Sequence, residues 1–382
     1  MKTRLFTPGP TTVPESVLLK MAEPIIHHRS AEYGELFAQI NQGLKYLFQT
    51  ENEVLTFTSS GTGAMEAAVV NLLSLGDKAL VVRGGKFGER WAEICTAHGV
   101  QVEPLDVEWG YAVDPQQIAA KLEAVQEIKA VFTTHSETST GVINDIEAIG
   151  QIVKEHSALL VTDAITSIGT HRFLPDKWHI DVAVTGSQKG LMLSPGLAFA
   201  SVSQEAWEAV KSSNLPKYYW SFSAAKKFLT KNQNPYTPAV SLLVGLKKSL
   251  EMMQEEGLEN IWARHQRHAR ATRAAVRALG LEIFAKNPSN ILTIVKVPEG
   301  IDGKLLLKTI RTKYGITMAG GQAALAGKVV RISHMGYIDD FDILTAVAAL
   351  ERGLKDLGWR LELGSGVAAA QQVLAEWDSE ES

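Results

Sequence analysis

Apolar positions in the middle of this chain fall into two alternating patterns. Short runs rich in Val, Ile, Leu, Ala and Phe, at Glu53 to Thr58, Ala79 to Arg83, Val100 to Leu105, Lys129 to Thr134, Ala158 to Asp163, Asp181 to Thr185 and Leu197 to Val202, have the length and composition of β-strands. Between them, segments such as Pro115 to Val125 and Asp145 to His156 space their apolar residues as a helix does. Several of the strands are apolar throughout, as expected where helices cover both faces of a sheet. Strands alternating with helices predict an α/β fold around a doubly wound, mostly parallel, seven-stranded sheet.

After Asn234-Pro235-Tyr236-Thr237-Pro238 the pattern changes. Two long helical patterns, Ala239 to Glu256 and Leu258 to Leu279, are broken at Gly257. A strand at Ile291 to Val297, a helix at Gly303 to Lys313, a strand at Lys328 to Ile332 and a helix at Asp339 to Leu357 follow. This predicts a smaller α+β domain. The expected division is an N-terminal arm over 1–20, a large domain over 21–250, a small domain over 251–363 and an acidic tail over 364–382. Within the tail, Val367 to Trp377 has helical spacing, and the acidic end is expected to fray.

Charged residues at strand ends carry the chemistry. Asp163 closes one apolar run, and Lys189, in Ser187-Gln188-Lys189-Gly190, follows another. In an open α/β sheet the carboxyl ends of the strands are where ligands bind. A lysine there can form a Schiff base and a carboxylate can hold a pyridinium nitrogen, the two protein groups that pyridoxal phosphate chemistry needs most. A solvated lysine and a structural ion pair are the plainer readings of the same two residues.

Other strand ends add weaker signals. Ser60-Gly61-Thr62-Gly63 leads into a helix and suits a phosphate, or is simply an N-cap with a glycine turn. Glu66 stands where a dinucleotide fingerprint needs its third glycine. Phe87 can stack on a flat ring or pack as an ordinary core residue. His135-Ser136-Glu137-Thr138-Ser139-Thr140-Gly141 offers hydroxyls, an imidazole and a carboxylate, or a capped loop. Arg331, within a small-domain strand, can grip a carboxylate with two parallel hydrogen bonds or lie along a sheet edge. His334, His27, His28 and Arg29 have no strong claim. The order is more specific than any member: phosphate turn, aromatic, hydroxyl loop, Asp, Lys, Arg.

Composition narrows the classes. Of 382 residues, 38 are Lys or Arg and 42 are Asp or Glu, giving a net charge of −4 with no basic block, which argues against nucleic acid and anionic membranes as partners. The single cysteine, Cys95, cannot form an intramolecular disulfide or hold an iron–sulfur cluster alone, and reads as a buried structural thiol. No apolar stretch approaches the ~20 residues of a membrane span. A cytoplasmic, soluble protein without a signal peptide is the expectation.

Together these motifs resemble the class V branch of fold-type I pyridoxal-phosphate enzymes, and within it the alanine–glyoxylate/serine–pyruvate aminotransferase group. Thr7-Pro8-Gly9-Pro10, the His135 to Gly141 loop and Arg331-Ile332-Ser333-His334-Met335-Gly336 narrow it to that group. The resemblance implies pyridoxal 5′-phosphate as cofactor, held by Lys189 as a Schiff base with Asp163 on the ring nitrogen. It implies Ser60, Gly61, Thr62 and Gln188 on the phosphate, Phe87 and Ile165 against the ring faces, and Thr138 near the ring hydroxyl. Gly9 and Arg331 would meet the substrate. It further implies a homodimer with shared active sites, in which Tyr236 and Thr237 reach the partner's phosphate. Phe87 and Thr62 stand where animal alanine–glyoxylate enzymes have tryptophan and histidine, a difference that bears on substrate preference.

The function expected is ping-pong transfer of an amino group from alanine or serine to glyoxylate or pyruvate, with no metal. Aspartate or phosphoserine transamination and a non-catalytic partner subunit are the alternatives. Cysteine desulfuration needs a mobile late cysteine, which Cys95 is not.

Overall fold

The computed structural model of the chain describes residues 2–380, so the end of the tail expected to fray, at 381–382, lies outside the described residues. The large sheet has seven strands in the spatial order Glu53–Ser59, Gly196–Val202, Val182–Gly186, Leu159–Asp163, Ile128–Thr134, Lys78–Arg83 and Gln101–Asp106. Gly196–Val202 runs antiparallel to both neighbours, and the remaining pairs are parallel. The six strands other than Gly196–Val202 therefore end at the same edge of the sheet, which brings Ser59, Arg83, Thr134, Asp163 and Gly186 together there.

The uninterrupted apolar runs have a simple cause. Side chains alternate between the two faces of a strand. Leu80, Val82, Val131, Leu160, Ala183 and Phe199 enter one apolar core, while Ala79, Val81, Phe132, Val161, Val184 and Ala200 enter another on the opposite face. The helix Gly61–Leu72 lies wholly in the second core, and Ala31–Phe48 and Val240–Glu256 supply much of the first.

Four strands make the smaller sheet, in the order Arg4–Phe6, Ile316–Gly320, Val329–Ser333 and Leu292–Lys296. Two of them, Arg4–Phe6 and Ile316–Gly320, differ from the expectation: each is short, Arg4–Phe6 is held by its parallel partner, with Arg4 beside Ile316 and Phe6 beside Met318, and Ile316–Gly320 also pairs antiparallel with Val329–Ser333. The N-terminal segment then crosses to the large sheet, where Thr11 donates its N–H to Gln188 O at 3.1 Å and its hydroxyl to Lys189 O at 2.9 Å.

Gly257, with φ of 81°, separates Val240–Glu256 from Leu258–Ala278, as the break in pattern predicts. The tail forms a helix, Ser365–Glu380, whose Ala370 and Leu374 are buried in the small-domain core. Its start is held by Glu351, which is 2% exposed and accepts from the N–H groups of Gly364, Gly366 and Val367.

Candidate active site

Asp163 and Lys189 stand at the sheet edge as their sequence positions predict, and burial acts on them in opposite directions. Desolvation disfavours the charged form of each. It pushes the Asp163 carboxyl up to about 7, against the N–H of Ile165 that donates to Oδ1 at 2.8 Å. Burial likewise lowers the Lys189 amine to about 8, although Asp163 opposes that shift. The guanidinium groups of Arg331 and Arg90 lower it further. Lys189 Nζ donates to Pro8 O. Gly9 is required beside it, because a Cβ there would stand 2.2 Å from Nζ.

The helix Gly61–Leu72 begins without a side-chain cap at Ser60. The other serine and aspartate N-caps, Ser30, Asp114, Asp145, Ser203, Ser221, Asp302 and Asp339, all cap their helices through side chains. An uncapped N-terminus leaves amide donors and the positive end of the helix dipole available to an anion. Gln188 and Ile165 close on this turn: a Cβ on Gly186 would meet Gln188 Oε1 and Gly61 N, each at 3.1 Å, and one on Gly61 would meet Ile165 Cδ1 at 2.5 Å. Gln188 Oε1 is buried without a protein partner. A buried amine, a buried carboxylate and an open helix N-terminus at one sheet edge fit pyridoxal phosphate in its three chemical parts.

Phe87 lies in the first turn of the helix Lys86–Ala97, with the Arg90 guanidinium 4.9 Å from its ring centroid. Arg90 also donates to Thr62 Oγ1 at 3.3 Å, joining the aromatic to the phosphate turn. Arg90 carries little signal in the sequence. Its spacing from Phe87 puts the two on adjacent turns of one helix, the only local signal for it.

Arg331 is 7% exposed and reaches the same edge from the small sheet. It donates from Nε to Gly320 O at 2.8 Å and from Nη1 to Thr138 O at 3.1 Å, so the hydroxyl loop holds the arginine through its backbone. Within the chain, Tyr236 and Thr237 do not join Lys189. The Tyr236 ring stacks on Tyr219 at 5.2 Å and its hydroxyl donates to Tyr218 O, while Thr237 lies exposed near Thr58. Arg29 holds this segment: it donates to Gln233 Oε1 at 2.9 Å, Asn234 O at 2.8 Å and Pro235 O at 3.3 Å. His334 is buried near Thr293, and Cys95 is buried with its thiol raised to about 12 by desolvation.

A family model described as Aminotransferase class-V matches residues 4–344. The chain is 48% identical over 379 residues to a protein of Synechococcus sp. (strain PCC 6716) named soluble hydrogenase, small subunit, covering 98% of this chain and 99% of the relative. It is 41% identical to the L-aspartate–glyoxylate aminotransferase of Paracoccus denitrificans, with 96% and 95% covered. The crystal structure of ureidoglycine–glyoxylate aminotransferase from Bacillus subtilis superimposes with a TM-score of 0.95 at 30% identity, with 98% of each chain covered. The fold and site define a fold-type I pyridoxal-phosphate aminotransferase. This chain belongs to the class-V aminotransferase family.

Proposed function

We propose that this aminotransferase moves an amino group from a small monocarboxylic amino acid, alanine or serine, to glyoxylate or pyruvate. The observation that carries the choice of a small donor is Arg29. Three of its five N–H donors go to Gln233, Asn234 and Pro235, which turns the guanidinium toward its own chain rather than toward a second carboxylate of the substrate. Arg331, half satisfied by Gly320 and Thr138, keeps Nη2 for one carboxylate. Glyoxylate as acceptor is supported by the names of the Paracoccus and Bacillus relatives.

Pyridoxal phosphate, when bound, would supply an aldehyde able to carry the amino nitrogen and a ring able to act as an electron sink. Lys189 is the residue we assign to hold the cofactor covalently and to move the proton. An amine displaced to about 8 gives up and regains a proton near neutral pH far more readily than an ordinary lysine. Asp163 would keep the ring nitrogen protonated. Ser60, Gly61, Thr62 and Gln188 would bind the phosphate, Phe87 and Ile165 would hold the ring, and Thr138 would serve its hydroxyl. Gly9 leaves the substrate room beside the Lys189 amine, and Arg331 orients the substrate carboxylate.

A homodimer belongs to the same reading, with Tyr236 and Thr237 reaching the partner's phosphate. Its support is the exposed aromatic group around Tyr236, where Tyr218 is 79% and Tyr219 41% exposed. The division into a large domain over 21–250 and a small one over 251–363 is supported by the two sheets having separate apolar cores. No helix among the described residues is long and apolar enough to cross a membrane, in keeping with a cytoplasmic location.

The Paracoccus relative favours a second reading, with aspartate as donor. Titration decides between them. The purified protein should show the absorbance band of lysine-bound cofactor. Alanine or serine should bleach it, and glyoxylate or pyruvate should restore it. Bleaching by aspartate alone would select the second reading, and a protein that takes up no pyridoxal phosphate would defeat both.

A further inference from the structure

The loop between Thr134 and Gly141 carries a buried carboxylate, Glu137. It is 2% exposed, and four donors converge on it. Oε2 accepts from the backbone N–H of Phe87 at 2.9 Å and of Gly88 at 3.1 Å; Oε1 accepts from Ser139 N at 3.0 Å and Ser139 Oγ at 2.6 Å. Ser139 Oγ in turn accepts from Lys86 N at 3.0 Å. The helix carrying Phe87 has no side-chain cap of its own at Gly85. Glu137, 50 residues further along the chain, does that work from across the sheet edge. Gly85 makes the approach feasible, since a Cβ there would stand 2.5 Å from Glu137 Cδ and Cγ and from Ser139 Oγ.

The loop that carries Glu137 holds two other parts of the site. His135 donates its N–H to Asp163 O at 2.9 Å, and Thr138 O accepts from Arg331 Nη1 at 3.1 Å. Three anchor points within four residues, His135, Glu137 and Thr138, thus tie the strand end of Asp163, the helix of Phe87 and the guanidinium of Arg331 to one short segment.

We propose that Glu137 is a positioning residue for transamination: its carboxylate sets the Phe87 ring against the cofactor and, through Thr138, the Arg331 guanidinium against the substrate. The inference rests on the assignment of Phe87 to the cofactor ring. An acceptor-only group is needed, because both oxygens face donors. An amide in its place would turn an NH₂ toward two N–H groups of the same sign. Glu137→Gln therefore keeps the volume and breaks the latch, whereas Glu137→Asp keeps the charge on a shorter arm.

The test uses the purified wild-type, Glu137→Gln and Glu137→Asp proteins, with Ser139→Ala as a milder variant that removes one of the four donors. Three quantities are read: the dissociation constant for pyridoxal phosphate in the stripped protein, the circular dichroism of the lysine-bound cofactor band, and kcat and KM for donor and acceptor. Glu137→Gln is expected to weaken cofactor binding at least tenfold, to diminish the dichroic band and to raise KM for both substrates at least tenfold. Glu137→Asp and Ser139→Ala should fall between it and wild type. If Glu137→Gln melts near room temperature, Ser139→Ala alone decides, through a smaller loss in the same three quantities. Variants that match wild type within twofold in binding, band and KM would overturn the proposal. A wild-type protein without cofactor band or transamination would instead overturn the functional reading beneath it.

Discussion

The amine of Lys189 donates to the carbonyl oxygen of Pro8, 181 residues earlier in the chain, and the next residue, Gly9, leaves no space for a side chain. The N-terminal segment is thus part of the wall around the reactive lysine. Its φ of +131° is one that residues with a side chain rarely adopt. Gly9→Ala is expected to cost about 1–3 kcal/mol in strain and to press on the amine. The absorbance band of lysine-bound cofactor should shrink while the protein stays folded by far-ultraviolet circular dichroism. An unchanged band would mean that the segment moves aside freely.

Lys189→Ala tests the proposed covalent anchor and proton carrier. The variant should retain pyridoxal phosphate without covalent linkage, since the other contacts stay. Turnover should drop by at least about 10²–10⁴-fold, the range expected for losing a positioned acid–base group. Single-turnover measurement of the amino-donor half-reaction checks this, and appreciable residual rate would show that another group serves.

Asp163 connects the site to stability. Burial raises its carboxyl to about 7 in the cofactor-free chain, from an ordinary 3.8. The folded state therefore binds the proton more tightly than the unfolded state. Its contribution is full below about pH 4, declines as pH rises through 7, and is level above that. The displacement corresponds to at most about 4 kcal/mol. Asp163→Asn, which keeps an acceptor for Ile165 N–H, should melt higher than wild type at pH 8 when stripped of cofactor. At pH 4 the two should nearly coincide. The same variant should lose about 10²–10³-fold in rate, as when one preorganised electrostatic contact is removed. Equal melting temperatures at pH 8 would mean that the Lys189 charge already offsets the buried carboxylate.

Arg331 uses a planar fork that lysine cannot copy. Two of its donors hold Gly320 and Thr138 before any substrate arrives. For Arg331→Lys, KM for the amino acid and the 2-oxo acid should each rise about 10- to 100-fold, as expected from losing 1.5–3 kcal/mol of charge-assisted hydrogen bonding. The cofactor band should not change. A loss confined to kcat with KM intact would place the carboxylate elsewhere.

Far from the chemistry, Glu351 caps the tail helix with three N–H bonds in a buried position. Glu351→Ala leaves those donors without an acceptor, at a cost of about 2–3 kcal/mol. Limited proteolysis should then cut between the helix Asp340–Asp356 and the helix Ser365–Glu380 sooner than in wild type, with kcat unaltered. Resistance equal to wild type would show that burial of Ala370 and Leu374 suffices to hold the tail.

Much of this molecule follows from local pattern. The seven strands of the large sheet, the break at Gly257 and the charges at strand ends are short-range features, legible because strand and helix periods span only a few residues. The places of Asp163 and Lys189 were legible for the same reason: each closes an apolar run, and parallel strands bring such ends to one edge. What stayed hidden has a common cause. Arg4–Phe6 is a strand only because it pairs with Ile316–Gly320 across the length of the chain, and neither segment has a period long enough to read.

The sequence by itself determined the fold class and the order of the turns that carry Ser60, Phe87, Thr138, Asp163 and Lys189, all of which rest on neighbours a few positions away. Only the tertiary structure decided that Pro8 faces the lysine, that Glu137 caps the Phe87 helix, that Thr138 holds Arg331, and that Arg29 is committed to the Asn234 segment. Those contacts join residues 181, 50, 193 and 205 positions apart. Their partners are selected by the packing of two sheets, and no stretch of local pattern records which distant donor a buried acceptor will meet.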